Sequence, residues 1–368
     1  MSSVGDDSVG ESYPYSDDDL VEEYLSSTRS KLLIIIALLL IAISIAIYSL
    51  SIYGHMDLSK ALQLIIDHLS GVTYPEHSPD WFDDITIWEA ALPRVVFCII
   101  AAIGLAVAGA AMQTAMNNPL ADPYTVGISS GACLGLAVAL SLGLSLNQGD
   151  SLGINIFAFI FSLFPLTIIL LLAPKTHSSP STLILAGVAI SYLFNSANTV
   201  IMVTVDSETL ESIYQWQVGT VANIRWESIP LTLTFVAIGS ALVMILSRKL
   251  NLLALGDSSA TSLGVDPDNL RIICLVAIAF IVGTIVGSAG IIGFLGLVTP
   301  HIVRFFVGSD NRFVIPAAAF LGVIMIIVAD ILCKVFSDYD DMPVGAMLAL
   351  IGAPIFLYLI IRRKANVW

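Results

Sequence analysis

The chain has 368 residues, of which 57% are apolar and only 12% are charged. Soluble domains carry charge on about a quarter of their residues, so this composition excludes an ordinary water-soluble fold. The formal net charge of −14 is concentrated near the amino terminus, where residues 1–30 hold eight acids and one base. Because such a segment cannot bury enough apolar surface to fold, we predict that residues 1–31 form an acidic, disordered tail.

Apolar runs of about 20 residues recur from residue 32 to residue 361, and each can cross a hydrocarbon core as a helix. The runs are continuous rather than alternating, which excludes a β-barrel. The sequence therefore predicts an all-α, polytopic membrane protein in which residues 32–368 form one domain of about ten transmembrane helices. The predicted spans are 32–53, 95–116, 125–146, 152–173, 182–204, 229–247, 272–291, 294–307, 313–333 and 343–361. The eighth span is short, which is typical of a half-helix buried in the bundle.

The distribution of lysine and arginine predicts the orientation in the membrane, because cytoplasmic loops accumulate these residues. With the amino terminus in the cytoplasm, eleven of the fifteen bases lie inside. The four bases that then lie outside are Lys60, Arg94, Arg225 and Lys334. We therefore predict a multi-pass protein of the cell membrane with both termini, and the acidic tail, in the cytoplasm.

Two connections between the spans are long, namely an outer loop over residues 54–94 and a cytoplasmic loop over residues 248–271. The second loop is polar and contains two short helical stretches, Leu250–Leu255 and Ser258–Leu263, each followed by a glycine. Because short connections are the rule, the length of this loop indicates a function.

Small residues at four-residue spacing occur in two of the spans. They are Gly127, Gly131 and Gly135 in the third span and Gly283 and Gly287 in the seventh. Such spacing lets helix backbones approach closely in lipid, so we interpret these glycines as packing contacts. A helix contact that moves during function is the alternative.

Sequence signatures of enzymes are missing from the chain. It contains no phosphate-binding loop of the form G-x-x-x-x-G-K-[ST] and no H-E-x-x-H pair. The five histidines are scattered singly, and the four cysteines fall inside apolar runs without paired spacing. We therefore expect no catalytic residues, no metal site, no cofactor and no nucleic-acid partner.

Asp330 is the clearest ionisable residue inside a predicted span, and such residues are costly to bury. Lys334 lies one helical turn further on, so an i,i+4 ion pair would satisfy the carboxylate without a transport role. A direct role in transport is the alternative. An ion-coupled secondary transporter would be expected to contain more buried carboxylates, which makes that class the less favoured interpretation.

Several short motifs follow one another along residues 32–363, and together they resemble one family. They are Leu92-Pro93-Arg94, Gly109-Ala110-Ala111-Met112-Gln113, Asn118-Pro119-Leu120-Ala121-Asp122-Pro123, Gly127-Ile128-Ser129-Ser130-Gly131-Ala132, Leu185-Ala186-Gly187, Leu263-Gly264-Val265, Gly293-Phe294-Leu295-Gly296-Leu297, Pro300-His301-Ile302, Pro343-Val344-Gly345 and Gly352-Ala353-Pro354. The family is that of the ATP-binding-cassette (ABC) importer permeases for ferric siderophores, haem and cobalamin, the FecCD type.

The resemblance implies a homodimer of ten-helix subunits in the lipid bilayer, with a translocation path along its two-fold axis. It also implies two separate ATPase subunits on the cytoplasmic side and an extracellular substrate-binding protein, so that the permease itself is not an enzyme. Cobalamin or a related corrinoid is the substrate that we favour, with a ferric siderophore or haem as the alternative.

The same resemblance assigns roles to three groups of residues. The loop 248–271 is similar to the coupling helices that contact the ATPase, through Gly256, Asp257, Ala260, Leu263 and Gly264. Docking of the binding protein is expected at two outer bases, Arg94 and Lys334. A cytoplasmic gate is expected at Ser179, Pro180, Ser181 and Thr182, where the proline is predicted to bend the helix.

Overall fold

A computed structural model describes residues 17–144, 151–173, 179–336 and 342–362. These residues are mostly helical and include no β-strand. The α-helices are α1 (Asp17–Tyr53), α2 (Leu58–Leu69), α3 (Pro79–Ile85), α4 (Leu92–Ala115), α5 (Ile128–Ser141), α6 (Ser151–Leu172), α7 (Pro180–Thr204), α8 (Ser207–Gln217), α9 (Ile229–Leu253), α10 (Asp257–Ser262), α11 (Pro267–Ala289), α12 (Leu295–Val307), α13 (Asn311–Phe336) and α14 (Val344–Arg362). A π-helical segment (Thr86–Ala91) and the 3-10 turns Pro123–Val126 and Trp226–Ser228 lie between the α-helices.

The predicted spans coincide with the apolar helices of the structure. In the part of the chain that is described, seven helices are long and apolar enough to cross a membrane, and α5, α12 and α14 are shorter apolar helices. The all-α, polytopic fold is therefore confirmed. The eighth span is short as predicted, because α12 has only 13 residues.

Helix α4 forms the centre of the bundle, where it packs against α9, α11, α12 and α13. Twenty of its 24 residues are buried, and many of them are alanine or glycine. A Cβ atom added at Gly109 would lie 1.9 Å from the carbonyl oxygen of Gly296 on α12. The two backbones therefore touch at a point that only glycine permits, as is common where helices pack in lipid.

Helix α6 is packed between α5 and α11 through the predicted small residues. Added Cβ atoms at Gly131 and Gly135 would lie 2.5 and 2.6 Å from backbone oxygens of α6. On the other side of α6, Gly283 and Gly287 face Ser162 and the backbone of Asn155. Close packing by these four glycines is confirmed. Gly127 is different, because it precedes α5 with a φ of +88°.

The bundle has two ends, which we name after the short helices found there. At the α10 end, α9 stops and α11 begins, and Lys31 of α1 lies 5.3 Å from the ring centre of Phe313. At the α2 end lie the last residues of α1, together with α2, α3 and the start of α4.

The segment 54–94 was predicted as a loop, but the structure makes most of it helical. Residues 79–115 form one helical stretch that contains the π-helical segment. Helix α2 is amphipathic and buries Ala61 and Leu64, and its His68 ring stacks on Trp88 at 4.0 Å. The sequence pattern missed these helices because they are too short and too polar to resemble spans.

Helix α1 begins at Asp17, so the structure places residues 17–31 in a helix, whereas we predicted a disordered tail. A helix already stabilised by its apolar span extends at little cost, and acids at an amino-terminal end favour the helix dipole. With 37 residues the helix is about 55 Å long, so its first part projects beyond a hydrocarbon core of about 30 Å. Residues 1–16 lie outside the described part of the chain.

Candidate functional site

Helix α10 is a one-and-a-half-turn helix in the predicted coupling loop, bounded by two glycines in unusual conformations. Gly256 precedes it with a φ of +99°, and Gly264 follows it with a φ of +82°. Nothing lies within 4 Å of a Cβ built at either position, so these glycines are required by backbone conformation rather than by space. The first predicted helical stretch belongs to α9, which continues to Leu253.

Arg271 of α11 holds α10 in place. Its side chain is fully buried, and both terminal nitrogens donate to the carboxylate of Asp257, the first residue of α10. The Nε atom donates to the carbonyl oxygen of Ala115 at 2.9 Å, in the last turn of α4. One guanidinium group therefore joins α10, α11 and the central helix α4.

The surface of the α10 region is partly apolar. Leu255 and Leu263 expose 64% and 58% of their area, and Gly264 is also exposed. Ala260, by contrast, is completely buried. In this structure it has no surface for the contact with the ATPase that we predicted. Its methyl group faces the bundle because the short helix must bury one side to stay attached. Asp257 keeps an exposed carboxylate, but this carboxylate is bound to Arg271.

A second polar network joins α9 to the turn between α12 and α13 at the same end. Asn251 donates to Asp310 at 2.7 Å and accepts from the backbone and side chain of Asn311. Thr114 of α4 donates to Asn311 at 3.2 Å. Burial opposes ionisation of Asp310, but hydrogen bonds from Arg312 and Asn251 outweigh it and lower the pKa of this carboxyl. The α10 end is thus tied together by charged and amide side chains.

The docking prediction requires Arg94 to lie on the outer surface, but the structure buries it. Its side chain is 8% exposed and forms a two-bond ion pair with Asp330 of α13, at 2.9 and 2.7 Å. Tyr53 of α1 donates to the same carboxylate at 2.5 Å. Arg94 therefore presents little surface to a partner protein, and its docking role stays a prediction. Asp330 is satisfied across the bundle by Arg94, and not by Lys334 on its own helix.

Lys334, the other predicted docking base, is half-buried beside a cavity of 580 Å³ at the α2 end. His55 and Asp57 line the same cavity. This base thus has access to the outside of the bundle, and its docking role stays a prediction.

The predicted gate lies at the start of α7. Pro180 is the first residue of that helix, where its missing N–H group breaks no helical hydrogen bond. Contrary to the prediction, it therefore does not bend α7. Ser179 and Pro180 are half-buried, while Ser181 and Thr182 are exposed. Residues 174–178 lie outside the described part of the chain.

The model of the FecCD transport family matches residues 33–362 of this chain. The chain belongs to the FecCD transport family. It is therefore a transport permease. Relatives of this FecCD permease are named for different substrates.

The haemin transport permease HmuU of Yersinia pestis is 36% identical over 76% of this chain and 84% of its own. The cobalamin import permease BtuC of Halobacterium salinarum is 35% identical over 77% of this chain and 75% of its own. The ferric citrate import permease YfmE of Bacillus subtilis is 32% identical over 91% of this chain and 97% of its own.

A solved structure is similar to this FecCD permease over nearly the whole chain. It is described as an inward-facing conformation of a transporter assigned to the metal-chelate type of ABC transporter. The TM-score is 0.78 at 27% identity, covering 90% of this chain and 99% of the other.

Sequence reasoning missed three residues that shape the α10 end, namely Arg271, Asn251 and Leu255. Arg271 was counted only as a cytoplasmic base, because it lies directly before the predicted span 272–291, whereas the structure places it four residues into α11. Leu255 was overlooked because it was assigned to a helical stretch rather than to the surface. No sequence signal pointed to Asn251.

Proposed function

We propose that this permease is the membrane-spanning subunit of an ATP-driven importer for metal chelates, and that a separate ATPase subunit docks on the α10 end. The observation behind the proposal is α10 itself, a short exposed helix with apolar neighbours that is fixed rigidly to the core. A surface that receives force from another protein needs both properties. The chain contains no phosphate-binding loop, so ATP hydrolysis is assigned to the partner.

The α10 end is assigned to the cytoplasm, together with both termini, because this orientation puts eleven of the fifteen bases inside. The α2 end then faces outward and receives the extracellular substrate-binding protein. Lys334, beside the open cavity, stays the proposed basic contact for acidic side chains of that protein.

Helix α7 is proposed to line the translocation path in a homodimer of this chain. Tyr192, Asn195, Ser196 and Thr199 are all exposed and share one face of the helix. An exposed carboxamide such as that of Asn195 would lose its hydrogen bonds in lipid, so this face is better suited to water or to a second subunit. The gate at 179–182 lies at the proposed cytoplasmic end of the same helix.

A corrinoid such as cobalamin is the proposed substrate, with haem or a ferric siderophore as the alternative. A bulky chelate needs a wide path that does not hold it tightly. Within the described residues, no group of three or more potential metal-ligating side chains could capture the metal. The named relatives carry cobalamin, haemin and ferric citrate, so the binding protein is proposed to select among them.

The substrate is tested by uptake into proteoliposomes that contain the permease and its ATPase subunit, with the binding protein and one chelate outside. Cyanocobalamin, haemin and ferric citrate are compared with ATP enclosed. ATP-dependent uptake of cyanocobalamin is expected. Uptake of only haemin or only ferric citrate would show that this chelate, and not a corrinoid, is the substrate. If no chelate is taken up in an ATP-dependent way, the proposed importer function is wrong.

A further inference from the structure

Two carboxylates lie near the buried guanidinium of Arg271, and they differ in how they contact it. Asp257 accepts from both terminal nitrogens, whereas Asp268 is 3.9 Å away, one turn back on α11. Their side chains are similarly exposed, at 51% and 45%. Two parallel hydrogen bonds fix the position and the angle of a partner, which a single contact at 3.9 Å does not.

The third contact of Arg271 reaches the centre of the protein. The carbonyl of Ala115 is one of the last four in α4, which have no partner within the helix. Arg271 satisfies it with its Nε atom. Helix α4 in turn touches α12 at Gly109 and is bound to α13 at its other end through Arg94.

We propose that Arg271 is the positioning residue that carries movement of α10 into α4, by holding α10, the start of α11 and the end of α4 as one rigid unit. This inference rests on the proposed function, since it names the residue through which the docked ATPase acts on the helices. A guanidinium with no exposed surface cannot exchange its partners for water, so the three elements move together or the ion pair breaks. Breaking it would leave α10 held only by the buried Ala260 and by its glycine-containing loops.

The test separates coupling from folding by measuring substrate imported per ATP hydrolysed. A role confined to stability reduces uptake and ATP hydrolysis in proportion, so this ratio stays constant. Asp257→Asn removes the charge that binds Arg271, and Asp268→Asn is the matched control with the same chemical change. Arg271→Lys keeps the charge but loses the planar fork. The complexes of permease, ATPase subunit and binding protein are assayed with whichever of the three chelates the unaltered complex imports.

We expect Asp257→Asn and Arg271→Lys to lower the ratio about fivefold or more, the usual scale of coupling between two sites, while Asp268→Asn leaves it unchanged. An unchanged ratio for Asp257→Asn, or an equal fall for Asp268→Asn, would overturn the inference. A folded Asp257→Asn permease that no longer binds the ATPase subunit would also overturn it, because Asp257 would then contact the partner directly. If the unaltered complex imports none of the chelates, the failure belongs to the proposed function instead.

Discussion

Leu263 is the residue whose replacement tests the proposed docking surface most simply. It is 58% exposed beside α10, so Leu263→Asp should leave the fold intact while placing a charge in the apolar contact. We expect binding of the ATPase subunit to weaken about tenfold or more, because apolar anchors dominate the energy of such contacts. Co-purification and titration of the ATPase subunit measure the change.

Leu69 provides the control for that substitution. It is 71% exposed on α2, at the other end of the bundle, so Leu69→Asp introduces the same charge on a comparable surface. ATPase binding should be unaffected by it. If Leu69→Asp abolishes ATPase binding and Leu263→Asp does not, the ATPase docks at the α2 end, which contradicts the proposal.

The buried pair of Arg94 and Asp330 predicts a loss of stability when one partner is removed. Asp330→Asn or Arg94→Met removes one partner of this buried ion pair. We expect the free energy of unfolding to fall by about 3–5 kcal/mol. Replacing both residues by apolar ones should recover most of the loss. Denaturant unfolding of the purified permease in detergent measures both effects.

Lys60 provides the comparison at the same end of the bundle. Its side chain bonds Asp83 at 2.5 Å but is 42% exposed, so Lys60→Met should change stability little. Equal effects for the exposed and the buried pair would show that burial does not control the contribution of Arg94.

Residue roles were the least predictable part of this protein from its sequence. The sequence identifies Asp330 as an unusual charge inside a span and Arg94 as an outer base, but they lie 236 positions apart, and only the fold brings them together. Arg271 and Asp257 are separated by 14 positions, yet their pairing depends on a turn of the chain at Gly264 that no periodic pattern encodes. A charge near the end of a span has several possible partners, and the tertiary structure selects one.

At the scale of the helices, the contact between α4 and α12 gives a sharp prediction. Gly109→Ala would force a methyl group to within 1.9 Å of the Gly296 oxygen, so the helices must separate. Overpacking of this kind costs about 1–3 kcal/mol, and we expect at least that loss of stability. Thermal unfolding in detergent measures it.

Gly153 of α6 is the control for this substitution. The nearest atom to an added Cβ there lies 3.8 Å away, an ordinary contact. Gly153→Ala should be neutral or stabilise the helix by about 0.5–1 kcal/mol, because glycine is the poorer helix former. Similar losses at both positions would mean that the close approach of α4 and α12 is not what Gly109 provides.

Apolar helices were largely predictable from the sequence, whereas polar ones were not. The spans α4, α11 and α13 follow from composition alone, since a long uncharged run has few alternatives to a helix in lipid. Helices α2 and α8 are short and half-polar, and their burial depends on neighbours contributed by distant parts of the chain. The same reason explains why the predicted outer loop over residues 54–94 became helical.

For the molecule as a whole, the orientation in the membrane predicts which ends accept a thiol reagent. Ser262→Cys lies at the α10 end and Ser70→Cys at the α2 end, and both serines are exposed. An impermeant maleimide added to intact cells should label only the cysteine at position 70. The native cysteines Cys98, Cys133, Cys274 and Cys333 are buried and should react slowly. Labelling at position 262 in intact cells would reverse the orientation.

If a separate ATPase drives import through this permease, chelate uptake depends on ATP and not on an ion gradient. Proteoliposomes containing the complete complex are loaded with ATP, and ionophores then collapse every proton and sodium gradient. We expect chelate uptake to continue under these conditions and to stop when ATP is omitted. Uptake that disappears with the ion gradients while ATP is still present would identify a secondary transporter instead of an ATP-driven importer.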